Sequence, residues 1–75
     1  MDKFHRDIEN VIKQLRGSGS RSAQYIISEL ETMDAVRDRS VFRPTYGRMI
    51  ADTWDFDSRL AKDLSKIARE YIENY

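Results

Sequence analysis

The C-terminal part of the chain has the pattern that most constrains its fold. From Thr45 to Tyr75 there is no proline, and the last glycine is Gly47. On a helical wheel of about 100° per residue, the apolar side chains of this part fall within about 80° of Tyr46. The pattern therefore predicts one long amphipathic helix over about residues 45–74. The apolar face consists of Tyr46, Met49, Ile50, Trp54, Phe56, Leu60, Ala61, Leu64, Ile67, Ala68, Tyr71, Ile72 and Tyr75.

The stretch TWDFDSRL, residues 53–60, lies in the middle of this predicted helix and allows a second interpretation. Asp57 could be the N-cap of a separate last helix. We prefer the continuous helix because the apolar phase runs unbroken through the stretch. Thr53 and Asp57 then lie near the centre of the apolar face as buried polar or interface residues. A carboxylate there needs a cation, from the preceding linker or from a second chain.

Two shorter amphipathic segments precede the long one. The first covers about residues 2–16, with Asp2 as a plausible N-cap and Gly17 placed to end the helix. The second covers about residues 22–38, and its apolar stripe is interrupted after Met33. Strand-like alternation is nowhere convincing, so we expect one all-α domain over residues 1–75.

The length of the predicted C-terminal helix indicates an assembly larger than one chain. A helix of about 30 residues is ~45 Å long, whereas a compact domain of this size has a radius of gyration near ~11 Å. A small core usually needs a disulfide, a metal or a partner subunit. The chain has no cysteine, and its single histidine, His5, cannot build a zinc site alone. We therefore predict a homodimer of elongated protomers.

The charge is high but balanced, with thirteen basic and thirteen acidic residues. This balance argues against a general nucleic-acid coat and against an acidic mimic of DNA, because both need a strong field of one sign. No apolar run approaches about 18 residues, so we expect no transmembrane helix. We do not expect the charged N-terminus to act as a secretory signal, and a cysteine-free chain fits the cytoplasm.

Catalysis is the least supported class of function. His5 has no cysteine partner, and no serine stands beside it in a recognised nucleophilic arrangement. On a helix Asp52, Asp55 and Asp57 point in different directions, so they do not converge on a cation. The segment RGSGSR, residues 16–21, lacks the spacing and the lysine of a phosphate-binding loop. We expect no catalytic residue, no metal and no cofactor.

The linker RDRSVFRPTYGR, residues 37–48, is the candidate binding segment. It has four arginines against one aspartate, interleaved with two aromatic residues, a composition found at binding hot spots and on nucleic-acid surfaces. A structural interpretation competes, in which the aromatic residues plug the end of the bundle and the arginines are solvated or paired with Asp34 and Asp38. The candidate partner-binding residues are Arg37, Arg39, Phe42, Arg43, Tyr46 and Arg48, together with Trp54 at an edge of the long helix.

These observations favour a non-enzymatic protein–protein interaction module. We expect a small regulator or inhibitor, of the kind that viruses and phages also encode, that binds a larger protein assembly. This prediction is based on the excess of amphipathic helical surface together with the arginine-aromatic linker. The alternative is a nucleic-acid-binding protein that uses residues 37–48.

Overall fold

A computed structural model gives the structure of the chain and describes residues 2–52 and 58–75, with the side chains of 2–50 and 58–75. The described residues form four helices: α1 (Lys3–Arg16), α2 (Arg21–Val36), α3 (Tyr46–Asp52) and α4 (Ser58–Asn74). No strand occurs in these two ranges. The predicted all-α class is confirmed.

Local side-chain contacts set the ends of α1. The carboxylate of Asp2 accepts a hydrogen bond from the backbone N–H of His5 at 2.8 Å, which satisfies one of the free donors of the first turn. Lys13 and Arg16 lie in the last turn, where positive charge is favourable, and Gly17 follows. The predicted N-cap and the predicted end of this helix are both confirmed.

The second helix, α2, begins and ends earlier than the sequence predicts. Its N-cap is Ser20, whose hydroxyl accepts from the N–H of Ala23 at 3.1 Å. Its last helical residue is Val36, because Arg37 turns into the left-handed region with φ of 49°. The N–H of Arg37 donates to the carbonyl of Met33, as in a left-handed C-cap. A non-glycine residue seldom adopts this conformation, so the sequence does not signal it.

One hydrophobic core joins all four helices. Helix α1 packs against α2 and α4, and α3 also packs against α2 and α4. The molecule measures 28 × 25 × 19 Å, with a radius of gyration of 11.4 Å. The buried apolar residues are Phe4, Ile8, Val11, Ile12, Leu15, Ala23, Ile26, Leu30, Met33, Tyr46, Leu60, Leu64, Ile67 and Tyr71.

The prediction of one continuous helix over residues 45–74 is wrong. The hydroxyl of Tyr46 donates to the backbone carbonyl of Leu64 at 2.6 Å. In a single helix these two residues would be ~27 Å apart along the axis, and a helix of ~45 Å would exceed every dimension of the molecule. Helices α3 and α4 are therefore separate elements that pack side by side. The predicted Thr53, Trp54 and Asp57 lie outside the described residues.

Because the long helix does not form, the main structural reason for the predicted homodimer no longer applies. It depended on a rod that one chain could not cover, whereas the chain covers its own core within a radius of gyration of 11.4 Å. The dimer therefore stays a prediction. None of the helices in residues 2–52 and 58–75 combines the length and the apolar character that crossing a membrane requires.

Candidate functional site

The α2–α3 loop, defined here as residues 37–45, contains most of the predicted binding residues, and its first residue is held by contacts with other elements of the protein. The guanidinium of Arg37 contacts Asp2 at 2.5 Å and Asp34 at 2.7 Å. It also lies over the ring of Phe4 at 5.2 Å and over the ring of Tyr75 at 5.7 Å. Arg37 thus joins α1, α2 and the end of α4. Its ion pair with Asp34 is one that the structural interpretation predicts.

Two carboxylates, the Arg37 guanidinium and His5 form a cluster, named here the Arg37 cluster. The hydrogen bond from Arg37, followed by the bond from the backbone of His5, lowers the pKa of Asp2 to about 2. Burial alone would raise the pKa of Asp34, but hydrogen bonds from Arg37 and His5 more than offset it, so this pKa is also lowered. The same pairs raise the pKa of Arg37. Both carboxylates are therefore ionised acceptors at neutral pH.

Next along the loop, residues 38–42 are fixed to α4. The hydroxyl of Tyr71 accepts from the N–H of Asp38 at 3.1 Å and donates to the carbonyl of Phe42 at 2.8 Å. Arg39 donates from its backbone to the carbonyl of Tyr75 at 3.1 Å and from its side chain to that of Ile72 at 2.6 Å. Since α4 leaves its last carbonyls free, the loop and the helix end satisfy each other.

Asp38 stabilises the turn of the loop from within. Its carboxylate accepts from the N–H of Ser40 at 2.9 Å and from the hydroxyl of Ser40 at 2.6 Å. These hydrogen bonds lower the pKa of Asp38. Its carbonyl accepts from the N–H groups of Val41 and Phe42, which closes the turn. Asp38 thus orders the loop through Ser40, and the predicted ion pair with an arginine does not form among the described residues.

The far end of the loop is held by Glu29 of α2, and this contact is named here the Glu29 cap. The carboxylate accepts from the N–H of Thr45 at 2.8 and 3.0 Å, from its hydroxyl at 2.8 Å, and from the N–H of Tyr46 at 2.7 Å. Glu29 is buried, with 7% of its surface exposed. It therefore caps the start of α3 from another helix, where the free N–H groups and the dipole favour a negative charge.

Tyr46 lies beside this cap and is a core residue. Its ring is fully buried, and its hydroxyl ties α3 to the carbonyl of Leu64 in α4. Burial raises the pKa of Tyr46, and the nearby charge of Glu29 adds to the effect. The side chain has no surface to offer a partner, so the predicted binding role does not fit it. Phe42 is half-buried against the same core, in agreement with the structural interpretation.

The other predicted binding residues with described side chains are exposed. These are Arg39, Arg43 and Arg48, and every ion pair found in the described part of the chain involves His5 or Arg37 instead. Val41, which the sequence does not single out, keeps 70% of its surface in solvent. The structure therefore leaves a short surface, Arg39–Arg43, which we name the loop tip.

Sequence reasoning missed the two residues that hold the loop from outside. Glu29 lies within about 60° of Ile26 and Met33 on the wheel of α2, so an acid on the apolar face was its signal. The pattern assigns Tyr71 to the apolar face, but the sequence does not indicate which groups its hydroxyl bonds. Both residues act over long distances in sequence, since Glu29 precedes Thr45 by 16 positions.

The described residues contain no group of three or more histidine and acidic side chains arranged to hold a metal ion. Comparison of the chain with protein-family models, with curated proteins and with solved structures finds no match.

Proposed function

We propose that this chain is a non-enzymatic protein–protein interaction module, a small regulator or inhibitor that binds a larger assembly through its loop tip. The observation that supports the proposal is Val41, which is 70% exposed on a loop fixed to α4 by Tyr71 and Arg39. Single exposed apolar residues are common on protein surfaces, so Val41 supports the proposal through the ordered loop that carries it and the exposed arginines beside it.

The fixed loop also lowers the cost of binding. Ordering a flexible loop on association costs conformational entropy, and a loop that is ordered beforehand avoids most of that cost. Arg39 and Arg43 flank Val41 in sequence and are both exposed. Arginine offers a planar set of donors to a partner carboxylate or carbonyl, so the loop tip combines an apolar contact with directional polar ones.

The test is affinity capture from a lysate of the organism that encodes the chain. The wild type is compared with Val41→Ser and with Arg43→Glu, and Arg6→Glu on α1 is the charge-matched control because Arg6 is also exposed. We expect a captured protein that the control retains and both loop-tip variants lose. Equal capture by all four proteins would contradict the proposal, because binding would then not depend on the loop tip.

The alternative, nucleic-acid binding through residues 37–48, is weaker than the sequence suggests. Arg37 is paired with Asp2 and Asp34, so Arg39, Arg43 and Arg48 are the arginines of this segment that remain for phosphate contacts. Salt-sensitive DNA binding that disappears in Arg39→Ala/Arg43→Ala would favour this alternative.

The homodimer is a separate proposal, which now has only the small size of the core to support it. Light scattering behind a sizing column tests it directly. A dimer at high micromolar concentration supports the proposal, and a monomer there contradicts it.

A further inference from the structure

Helix α4 has a basic face on the outside of the bundle. Arg59, Lys62, Lys66 and Arg69 are all exposed and follow one another at spacings of three, four and three residues. At about 100° and ~1.5 Å per residue, they share an arc of about 80° and span ~15 Å along the helix. The opposite face of the helix packs into the core through Leu60, Leu64, Ile67 and Tyr71.

These four cations form no internal ion pairs in the described part of the chain, where all ion pairs involve His5 or Arg37. The acidic residues of α4 lie at one edge and at the C-terminal end of the basic face. Asp63 and Glu70 are half-buried and point about 60–80° away from its centre on the wheel. Glu73 is exposed and in line with the centre of the face, one turn beyond Arg69, so it marks the end of the face.

The net charge of zero does not indicate this face, because several acidic side chains bind other groups of the protein. Asp2 and Asp34 bind Arg37, Glu29 caps α3, and Asp38 holds its own turn. The guanidinium of Arg37 offsets the charges of Asp2 and Asp34, and none of the four carboxylates belongs to α4. The formal balance of thirteen acidic and thirteen basic residues therefore does not describe the local field at the basic face.

The other side chains of the basic face decide which kind of partner it fits. Ser58 and Ser65 are exposed and flank the face on the side away from Asp63 and Glu70, and no large apolar or aromatic residue of α4 lies between the four cations. Protein interfaces draw most of their affinity from buried aromatic and arginine anchors, with apolar surface around them. Contacts to a phosphate backbone need only cations and hydroxyl donors, and they need no apolar area.

We propose that the outer face of α4 binds the phosphate backbone of nucleic acid without sequence preference. Arg59, Lys62, Lys66 and Arg69 neutralise phosphates, and Ser58 and Ser65 donate hydrogen bonds to phosphate oxygens. This surface is distinct from the loop tip, so the chain has one surface for a protein and one for nucleic acid. Neither proposal depends on the other.

The experiment is a fluorescence-anisotropy titration of a labelled mixed-sequence DNA duplex of about 20 base pairs, repeated between about 50 and 200 mM salt. We expect the logarithm of the binding constant to fall with the logarithm of salt concentration with a slope of about −3 to −4, as four neutralised phosphates require. Lys62→Ala/Lys66→Ala should reduce the magnitude of that slope by about 2 and weaken binding more than about tenfold at the lowest salt.

Arg43→Ala/Arg48→Ala is the matched control, because it also removes two exposed positive charges with no ion pairs. We expect this variant to bind within about twofold of the wild type after the small change in net charge. Circular dichroism checks that both variants remain helical. Loss of binding in the control but not in Lys62→Ala/Lys66→Ala would contradict the proposal and favour the α2–α3 loop.

Two further results would also overturn the proposal that the basic face of α4 binds nucleic acid. One is the absence of duplex binding at the lowest salt. The other is binding of poly-glutamate through Lys62 and Lys66 with no binding of the duplex, which would assign the basic face to an acidic protein instead. A failure of the loop-tip capture experiment has no bearing on either result, since the loop-tip variants leave α4 unchanged.

Discussion

Two carboxylate sites of opposite character hold the two ends of the α2–α3 loop. At its start, Arg37 binds Asp2 and Asp34, with both of its partners and Arg37 itself in partial contact with solvent. At its end, Glu29 is buried and accepts from neutral groups of Thr45 and Tyr46. One site is a half-exposed network of opposite charges, and the other is a buried carboxylate that forms no ion pair in the described part of the chain.

The difference between the two sites indicates which of them the fold depends on more. Partly exposed ion pairs contribute little to stability, because water screens the charges and the long side chains lose entropy. A buried carboxylate must recover its lost hydration through hydrogen bonds, and the groups that it satisfies are left unpaired when it is removed. We therefore expect the Glu29 cap to dominate, although it contains fewer charged residues.

The largest expected effect is that of Glu29→Ala. It leaves two backbone N–H groups and a hydroxyl without their acceptor, at an expected cost of about 2–4 kcal/mol in the free energy of unfolding. The whole free energy of unfolding for a chain of this length is only about 4–11 kcal/mol. Urea denaturation followed by circular dichroism measures the change.

The matched control for this substitution is Glu31→Ala on the exposed side of the same helix. It should change the free energy of unfolding by no more than about 0.5 kcal/mol. Glu29→Gln should fall between the two, because its amide keeps one acceptor oxygen. Equal effects of Glu29→Ala and Glu31→Ala would remove the distinction between a dominant buried site and a minor exposed one.

A second prediction concerns alkaline pH and the Tyr46 side of the loop. The pKa of Tyr46 is raised in the folded chain above its ordinary value of about 10, so unfolding releases a proton above that pH. Its contribution to stability is complete below about pH 10 and falls as pH rises further, by at most about 1.4 kcal/mol per pH unit.

Urea denaturation of the wild type and of Tyr46→Phe between about pH 9 and 11.5 measures this contribution. The difference in stability between the two proteins should shrink as pH rises, because the variant has no phenol to ionise. A difference that stays constant over this range would show that the Tyr46 phenol is not held in its protonated form by the fold.

The smallest expected effect is at the Arg37 cluster, on the acid side. The lowered pKa values of Asp2 and Asp34 stabilise the fold above about pH 4, and this contribution is lost as pH falls towards about 2. Arg37→Met removes the guanidinium that lowers both pKa values, so thermal unfolding of the variant should depend less on pH in this range. Identical acid dependence in the variant and the wild type would contradict the assignment.

The local features of the fold could be predicted from the sequence, and the distant contacts could not. The start of α1 at Asp2 and its end before Gly17 depend on neighbouring residues, so they were predicted correctly. The apolar phase from Tyr46 to Tyr71 is shared by two helices that pack against each other, and periodicity alone does not distinguish this from one long helix. The same limit applies to Glu29, whose partners are 16 and 17 residues away.

The candidate site could be predicted only in part, because it also depends on contacts between residues that are distant in sequence. The composition of residues 37–48 indicated a binding segment, but it could not separate Arg37, which pairs internally, from Arg39 and Arg43, which stay exposed. Tyr46, a predicted binding residue, is buried, whereas Val41, which the sequence does not single out, is 70% exposed. The packing of α3 against α4 buries Tyr46, and this tertiary contact has no signal in the composition of the segment.

The α2–α3 loop is fixed to the helices at both ends and so presents its tip in one conformation. Native-state hydrogen exchange, read by NMR at single amides, tests the order of this loop most directly. The N–H groups of Asp38, Thr45 and Tyr46 donate to Tyr71 and Glu29, so they should exchange almost as slowly as amides in the core of α2. Exchange of all three at the rate of an unstructured chain would contradict the claim.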